Sequence, residues 1–383
     1  MANADDIPAS PRANQVEGGG LLIVFALPLA MGLIACVLVG WWWFNDLDAV
    51  LCGAWRAAHG ASAYQAAAGC PGGRPSLYMY LPQLARILAP IAGGADISGL
   101  RAVFGALNFA VVGGLIWALF LRPMDGAPRG LRAPILALTS GTAVASANIA
   151  FGCHALVLAT ALRRRSAWPL IAAIVAVSAI KPIYLTYLLV FAYEPERLAV
   201  RAGRIAAGVV AAAVVGAVIL ATGGPELAVW REGLTHVTLG QHLGFSFISW
   251  AHSLGLSPTG RAVQGAYVGF AGVVCLAGLA IVEARGLSRE ARTLLALAIA
   301  QVLNPRLMIY DVLMLAPLAI AFASVPEAWA KAFRLAVIGV GVVAFGVQLS
   351  RIYELIPIAP GLLTLLLLGA GVLAARDLRG RRA

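Results

Sequence analysis

Long apolar runs constrain this chain more than any other feature. Leu21–Phe44 and Arg101–Leu121 each reach the roughly 20 residues needed to cross the hydrocarbon core of a bilayer. Lipid offers the backbone no hydrogen-bond partners, so a spanning segment must be a helix or part of a closed barrel. These Ala-, Leu-, Val- and Gly-rich runs lack the two-residue alternation of barrel strands. The expected fold is an all-α polytopic membrane protein, and a mean hydropathy of +0.87 with only 12% charged residues agrees. Leu21–Phe44 is too long for a signal-peptide core and reads as an uncleaved anchor.

The net charge of +11 would point to nucleic acid in a soluble protein. Here the arginines sit in short loops between apolar runs, which is the positive-inside pattern, so no nucleic-acid partner is expected. Read in order, the spans are Leu21–Phe44, Arg101–Leu121, a hairpin of Pro134–Ala147 and Ile149–Leu162, and a second hairpin of Trp168–Ile180 and Pro182–Tyr193. Then come Ile205–Ala221, Ala262–Glu283, Leu294–Leu303, Leu307–Ala323, Phe333–Leu349 and Gly361–Ala375. That gives about 12 spans with both termini cytoplasmic and the Arg122–Arg132, Arg163–Arg165, Arg197–Arg204 and Arg285–Arg292 loops on the same side. Some of these segments are short, and are either tilted or enclosed by neighbours. Residues 1–20 form a disordered cytoplasmic tail, 21–376 a single transmembrane domain, and 377–383 a basic tail. Two large outer loops cover 45–100 and 222–260, and within the first, Tyr78–Ile91 is expected to lie in the membrane interface. Cys52 and Cys70 share that loop and can pair if it faces an oxidising space.

With that orientation, the unusual polar residues gather at the outer face. Asp46 and Asp48 stand where the first span meets water, and an acid there is costly unless something uses it. In an extended turn the two would point to the same side, whereas on a helix they would diverge. Asp46 is a candidate general base, or a cap for the following helix. Lys181, at a hairpin tip before Pro182, suits a phosphate, or snorkels to headgroups. Asn148, at the other tip, binds a sugar or caps its helix. Asn304-Pro305-Arg306 is expected to open a helix in which Arg306 reaches Tyr310 and Asp311, either as part of a site or as a structural Arg306–Asp311 pair. Arg74, Tyr78, Tyr80, His154, His236 and His242 fall on the same face. His154 reads as a buried, hydrogen-bonded residue. The histidines of the second loop match no zinc spacing, and the aromatic residues near them either stack on a sugar or form an interfacial belt.

The run from Asp46 through Gly53-Ala54-Trp55-Arg56-Ala57-Ala58-His59-Gly60 to Tyr64, followed by Tyr80-Leu81-Pro82, resembles glycosyltransferase family 87. These are GT-C-fold, polyprenol-phosphate-sugar-dependent enzymes and include mycobacterial phosphatidylinositol mannoside mannosyltransferases. The Asn148 hairpin, Lys181-Pro182 and the Asn304–Asp311 segment look similar to later landmarks of the family. The chain departs from it in having Tyr80-Leu81-Pro82 for the usual Y-P-P, and Val50-Leu51 where a Val-Tyr pair is frequent. The resemblance implies an inverting membrane transferase whose first-loop aspartate, here Asp46, is the base.

The expectation is therefore an enzyme of a bacterial inner membrane with its active site on the periplasmic side. It would move a hexose or pentose from a polyprenyl-phosphate donor to a hydroxyl of a glycolipid or glycan acceptor. Lys181 and Arg306 would bind the donor phosphate, with Asp48, Tyr80, Asn148, His242, Tyr310 and Asp311 lining the sugar or acceptor. No cofactor is called for; Asp46 and Asp48 make a literal D-x-D from which no metal is inferred, and a divalent metal requirement stays open. The alternative is a transporter or lipid-linked-sugar flippase, which broken helices would also suit.

Overall fold

The computed structural model describes residues 19–40, 43–65, 70–74, 76–236, 243–350 and 352–381. The chain forms α1 (Gly19–Val39), α2 (Asn45–Ala58), α3 (Pro82–Gly94), α4 (Ile97–Ile116, prolonged by a π-helical turn to Leu121), α5 (Arg129–Leu136), α6 (Gly141–Ala145), α7 (Ala150–Arg163) and α8 (Trp168–Ile180). A 3₁₀ rod, Pro182–Tyr193, follows. Then come α9 (Leu198–Thr222), α10 (Glu226–His236), α11 (Phe247–Ser253), α12 (Arg261–Arg285) and α13 (Arg289–Val302), a second 3₁₀ rod (Val312–Leu318), α14 (Ala319–Ala323), α15 (Glu327–Ser350) and α16 (Ile358–Gly380).

Among the described residues, six helices are long and apolar enough to cross a bilayer: α1, α4 with its π-helical turn, α9, α12, α15 and α16. The protein is thus a helical membrane protein. The other six segments of the sequence-based topology are the shorter pieces, and these occupy the middle. Every residue from Leu294 to Ile299 and the whole rod Val312–Leu318 are buried, whereas α9 buries only Gly208. Irregular or short segments can sit at membrane depth only where protein encloses them. The long helices provide that enclosure.

The rod Pro182–Tyr193 shows how the sequence builds this interior. A 3₁₀ helix has three residues per turn, so positions three apart share a face. Tyr184, Tyr187, Val190 and Tyr193 follow that period, and all are buried.

One end of the bundle is tied by ion pairs. Arg122 meets Glu290 at 2.5 Å, Arg204 meets Glu196 at 3.1 Å, Arg292 meets Glu283 at 3.3 Å, and Arg285 meets Asp377 at 2.7 Å. Arg164 and Arg204 both bind Glu194. These contacts bring the basic loops near Arg122, Arg164, Arg201 and Arg292, and the chain around Asp377, to one side. The polar turns between the short helices lie at the other.

Three expectations are corrected. The first span ends at Val39, because Gly40 turns the chain with φ +64°, and Phe44 instead precedes α2. The segment expected to be a polar loop, 222–260, contains α10 and α11. Residues 304–311 form successive turns, and helical structure resumes only at Val312.

The first loop has its own small core on top of the bundle. Helices α2 and α3 enclose Val50, Tyr78, Tyr80 and Ala85, and a second cluster contains Cys52, Ala54, Cys70, Ala92 and Ile97. Cys52 and Cys70 are disulfide-bonded, with Cα atoms 5.2 Å apart.

Candidate functional site

Asp46 lies in the first turn of α2, directed at the turn between α6 and α7. The Phe44 N–H donates to the Ala145 carbonyl at 2.8 Å and the Asp46 N–H to the Ser146 carbonyl at 3.0 Å. Both strands of this contact are strained. Phe44 (φ +58°) and Ala147 (φ +55°) are the two non-glycine residues with positive φ among the described residues. Such conformations cost about 1–3 kcal/mol each and concentrate at functional sites. Here they flank the carboxylate and its partners.

The Asp46 Oδ2 atom accepts from Ser146 Oγ at 2.7 Å and from Asn148 Nδ2 at 2.9 Å. Asn148 Oδ1 in turn accepts from the Ala150 N–H at 2.9 Å, capping α7, and from Lys181 Nζ at 2.9 Å. Asn148 thus engages the first amide of α7, as a cap would, and joins Asp46 to Lys181. Lys181 Nζ lies 4.1 Å from the centre of the Tyr310 ring and 5.8 Å from that of Tyr80. Among the described residues it makes no ion pair.

Tyr80 is set by the outer-loop core. Its carbonyl accepts from Tyr64 Oη at 2.7 Å, and Tyr78 Oη donates to the Leu81 carbonyl at 2.8 Å. Burial pushes the Tyr80 phenol well above its ordinary range, with Asp46 and Tyr310 adding to the effect. Tyr80 therefore stays neutral and offers Lys181 a ring face.

Behind Tyr310, Asp311 is fully buried. Its Oδ1 meets His154 Nε2 at 2.8 Å and Tyr184 Oη at 3.0 Å, while Oδ2 accepts from the Met308 N–H at 2.8 Å. His154 Nδ1 lies 2.7 Å from Tyr187 Oη. One imidazole thus bridges the Asp311 carboxylate and the Tyr187 hydroxyl through its two ring nitrogens. The expected helical Arg306–Asp311 pair is corrected, because the chain turns between them and His154 and Tyr184 take that place. Arg306 still contributes positive charge near Lys181 and Tyr310. Its N–H donates to Asn304 Oδ1 at 2.9 Å, which shapes the turn.

Asp48 is placed elsewhere. Because the two carboxylates are on a helix, they diverge, and Asp48 turns into the outer-loop core. There it meets Arg101 at 2.6 Å and the Arg74 N–H at 3.2 Å, with no exposed surface. Burial raises its pKa despite the pull of Arg101. Its oxygens are engaged by these partners, so the expected sugar or acceptor role is withdrawn. His242 lies outside the described residues.

The structure thus gathers Asp46, Asn148, Lys181, Tyr80 and Tyr310, with Asp311 one contact behind. Sequence reasoning missed Ser146 and the bracing roles of Tyr64 and Tyr78. A hydroxyl two residues before Asn148 at a hairpin tip was the available signal for Ser146. Among the described residues, no three His, Cys, Asp or Glu side chains converge as a metal site would require. Comparison with family models, curated proteins and solved structures returns no match.

Proposed function

We propose that this protein is an integral membrane glycosyltransferase, which moves a sugar from a polyprenyl-phosphate donor to an acceptor hydroxyl with inversion. The observation that carries the reading is the Asp46–Asn148–Lys181 relay: a carboxylate and a half-buried ammonium on one amide, the ammonium having no ion-pair partner among the described residues. Such a cation calls for an anion, and a phosphate supplies it.

In this mechanism Asp46 Oδ2 is held by Ser146 and Asn148, and Oδ1 accepts no hydrogen bond among the described residues. Oδ1 would take the proton from the acceptor hydroxyl as its oxygen attacks the anomeric carbon. The bond from that carbon to the phosphate oxygen breaks, and its electron pair leaves with the phosphate. Lys181 and Arg306 would stabilise the developing charge, and Tyr80 and Tyr310 would wall the sugar.

An apolar cleft of about 350 Å³ opens between α1 and α15. Met31, Ala35, Val347 and Ile352 line it together with Ser140 and Ile309, the chain neighbour of Tyr310. It suits an isoprenoid chain entering from lipid. The ion-paired end would face the cytoplasm under the positive-inside rule, and the site the periplasm of a bacterial inner membrane. Short segments inside long ones suit a GT-C-like bundle of about twelve spans, as the family 87 resemblance implies.

The test is to incubate purified protein in detergent with radiolabelled polyprenyl-phosphate hexose or pentose and a glycolipid acceptor. Wild type should form product, and Asp46→Asn should lose about 10²–10⁴-fold in rate while remaining folded. A transporter or flippase would form no product even as wild type.

A further inference from the structure

At the ion-paired end, far along the chain from the Asp46 turn, α8 and α9 leave an open groove of about 420 Å³. Its apolar wall is Ile171, Val200 and Ala207, and Arg165, Ser166 and Arg204 stand at its mouth. Trp168, 68% exposed, marks the edge. Around it, Arg163, Arg164, Arg165, Arg197, Arg201 and Arg204 outnumber Glu194 and Glu196. Arg164 and Arg204 are committed to Glu194. Arg165 is exposed and has no hydrogen bond or ion pair among the described residues. No side chain caps the start of α8, whose first residue, Trp168, lines the groove with Arg165 and Ser166.

We infer that this groove binds an anionic phospholipid of the surrounding leaflet, its phosphodiester at Arg165 and Ser166, and an acyl chain along Val200 and Ala207. Charge complementarity selects this occupant: a basic pocket between membrane helices, on the side richest in arginine, attracts acidic headgroups. The apolar wall adds a requirement that free phosphate does not meet. An interfacial tryptophan at the headgroup level fits the same placement. The groove involves none of the residues at the Asp46 turn, so this inference stands or falls apart from the proposed transferase activity.

The experiment measures thermal unfolding of the full-length protein in detergent while phosphatidylglycerol, phosphatidylcholine or inorganic phosphate is titrated. Phosphatidylglycerol should raise the unfolding temperature saturably, and the other two should not. Arg165→Gln, at an exposed position, should weaken the apparent affinity about fivefold, the effect of one surface arginine. Gly203→Leu keeps every charge and extends a side chain into the groove that Gly203 lines; a Cβ added at Gly203 meets nothing within 4 Å, so its first atom needs no shift of the backbone. It should abolish the phosphatidylglycerol-specific shift. Equal shifts with both lipids, a shift produced by inorganic phosphate alone, or variants that respond as wild type would each overturn the assignment.

Discussion

Asp46 and Asn148 meet through a single 2.9 Å hydrogen bond between residues 102 positions apart, and the opposite end of the same amide holds Lys181. The carboxylate and the ammonium are therefore joined by one side chain, which also accepts from the first N–H of α7, while Ser146 holds the carboxylate from a second side. Asn148→Ala should lower kcat/KM by about 10²-fold, since releasing both groups costs alignment in the transition state. Its stability loss should be only about 1 kcal/mol, the effect of a lost cap. Steady-state kinetics alongside thermal unfolding would separate the two; an activity loss no larger than the stability loss accounts for would contradict the relay.

Lys181 and its aromatic neighbours lead to a second expectation. Tyr310 and Tyr80 present ring faces to the Lys181 amine and bring no counter-charge to it. Lys181→Met should reduce kcat by about 10²-fold or more by removing charge stabilisation of the leaving phosphate. Lys181→Arg should recover part of that loss if charge is what matters. If Met and Arg variants behave alike, the lysine serves packing.

How much of this was readable in the chain differs from residue to residue. Hydropathy marks α1, α4, α9, α12, α15 and α16, because each is long and faces lipid. The half-length pieces could be located but not their depth, since burial between other helices leaves the same apolar signature as burial in lipid. At the site, Lys181 and Asn148 stood out as polar residues at hairpin tips. The Asp311–His154 contact did not, because it joins residues 157 positions apart and no local spacing encodes it. Asp48 misled for the opposite reason: D-x-D reads as a pair, but a helical turn sends the two carboxylates to different partners.

Glu194 anchors the other end of the bundle and gives a stability test. Its carboxylate is buried with Arg164, and Arg204 is its second partner. Removing one partner of a buried pair leaves an uncompensated charge, so Glu194→Leu should cost about 3–5 kcal/mol. The double variant Arg164→Met with Glu194→Leu should recover much of that, because the desolvation cost disappears with both charges. Denaturant unfolding in detergent would measure both; additive losses would mean the charges do not interact.

The backbones of α1 and α6 come together at Gly32 and Gly141, a few residues before Ser146 and Asn148. A Cβ added at Gly141 would fall 2.2 Å from the Leu29 carbonyl oxygen and 2.2 Å from the Leu33 nitrogen, and one added at Gly32 would fall 2.8 Å from the Gly141 nitrogen. The opposing atoms are backbone and cannot rotate away, so Gly141→Ala must push α6 from α1. Overpacking of this kind costs about 1–3 kcal/mol. Because α6 runs straight into the turn that holds Asp46, the displacement should also lower activity in the fraction that remains folded. Gly113→Ala in α4, where an added Cβ meets nothing within 4 Å, is the control and should be neutral or slightly stabilising. Thermal unfolding and product formation measured on both variants would decide the point. A Gly141→Ala protein as stable and as active as the control would mean that α1 and α6 do not set the position of the Asp46 partners.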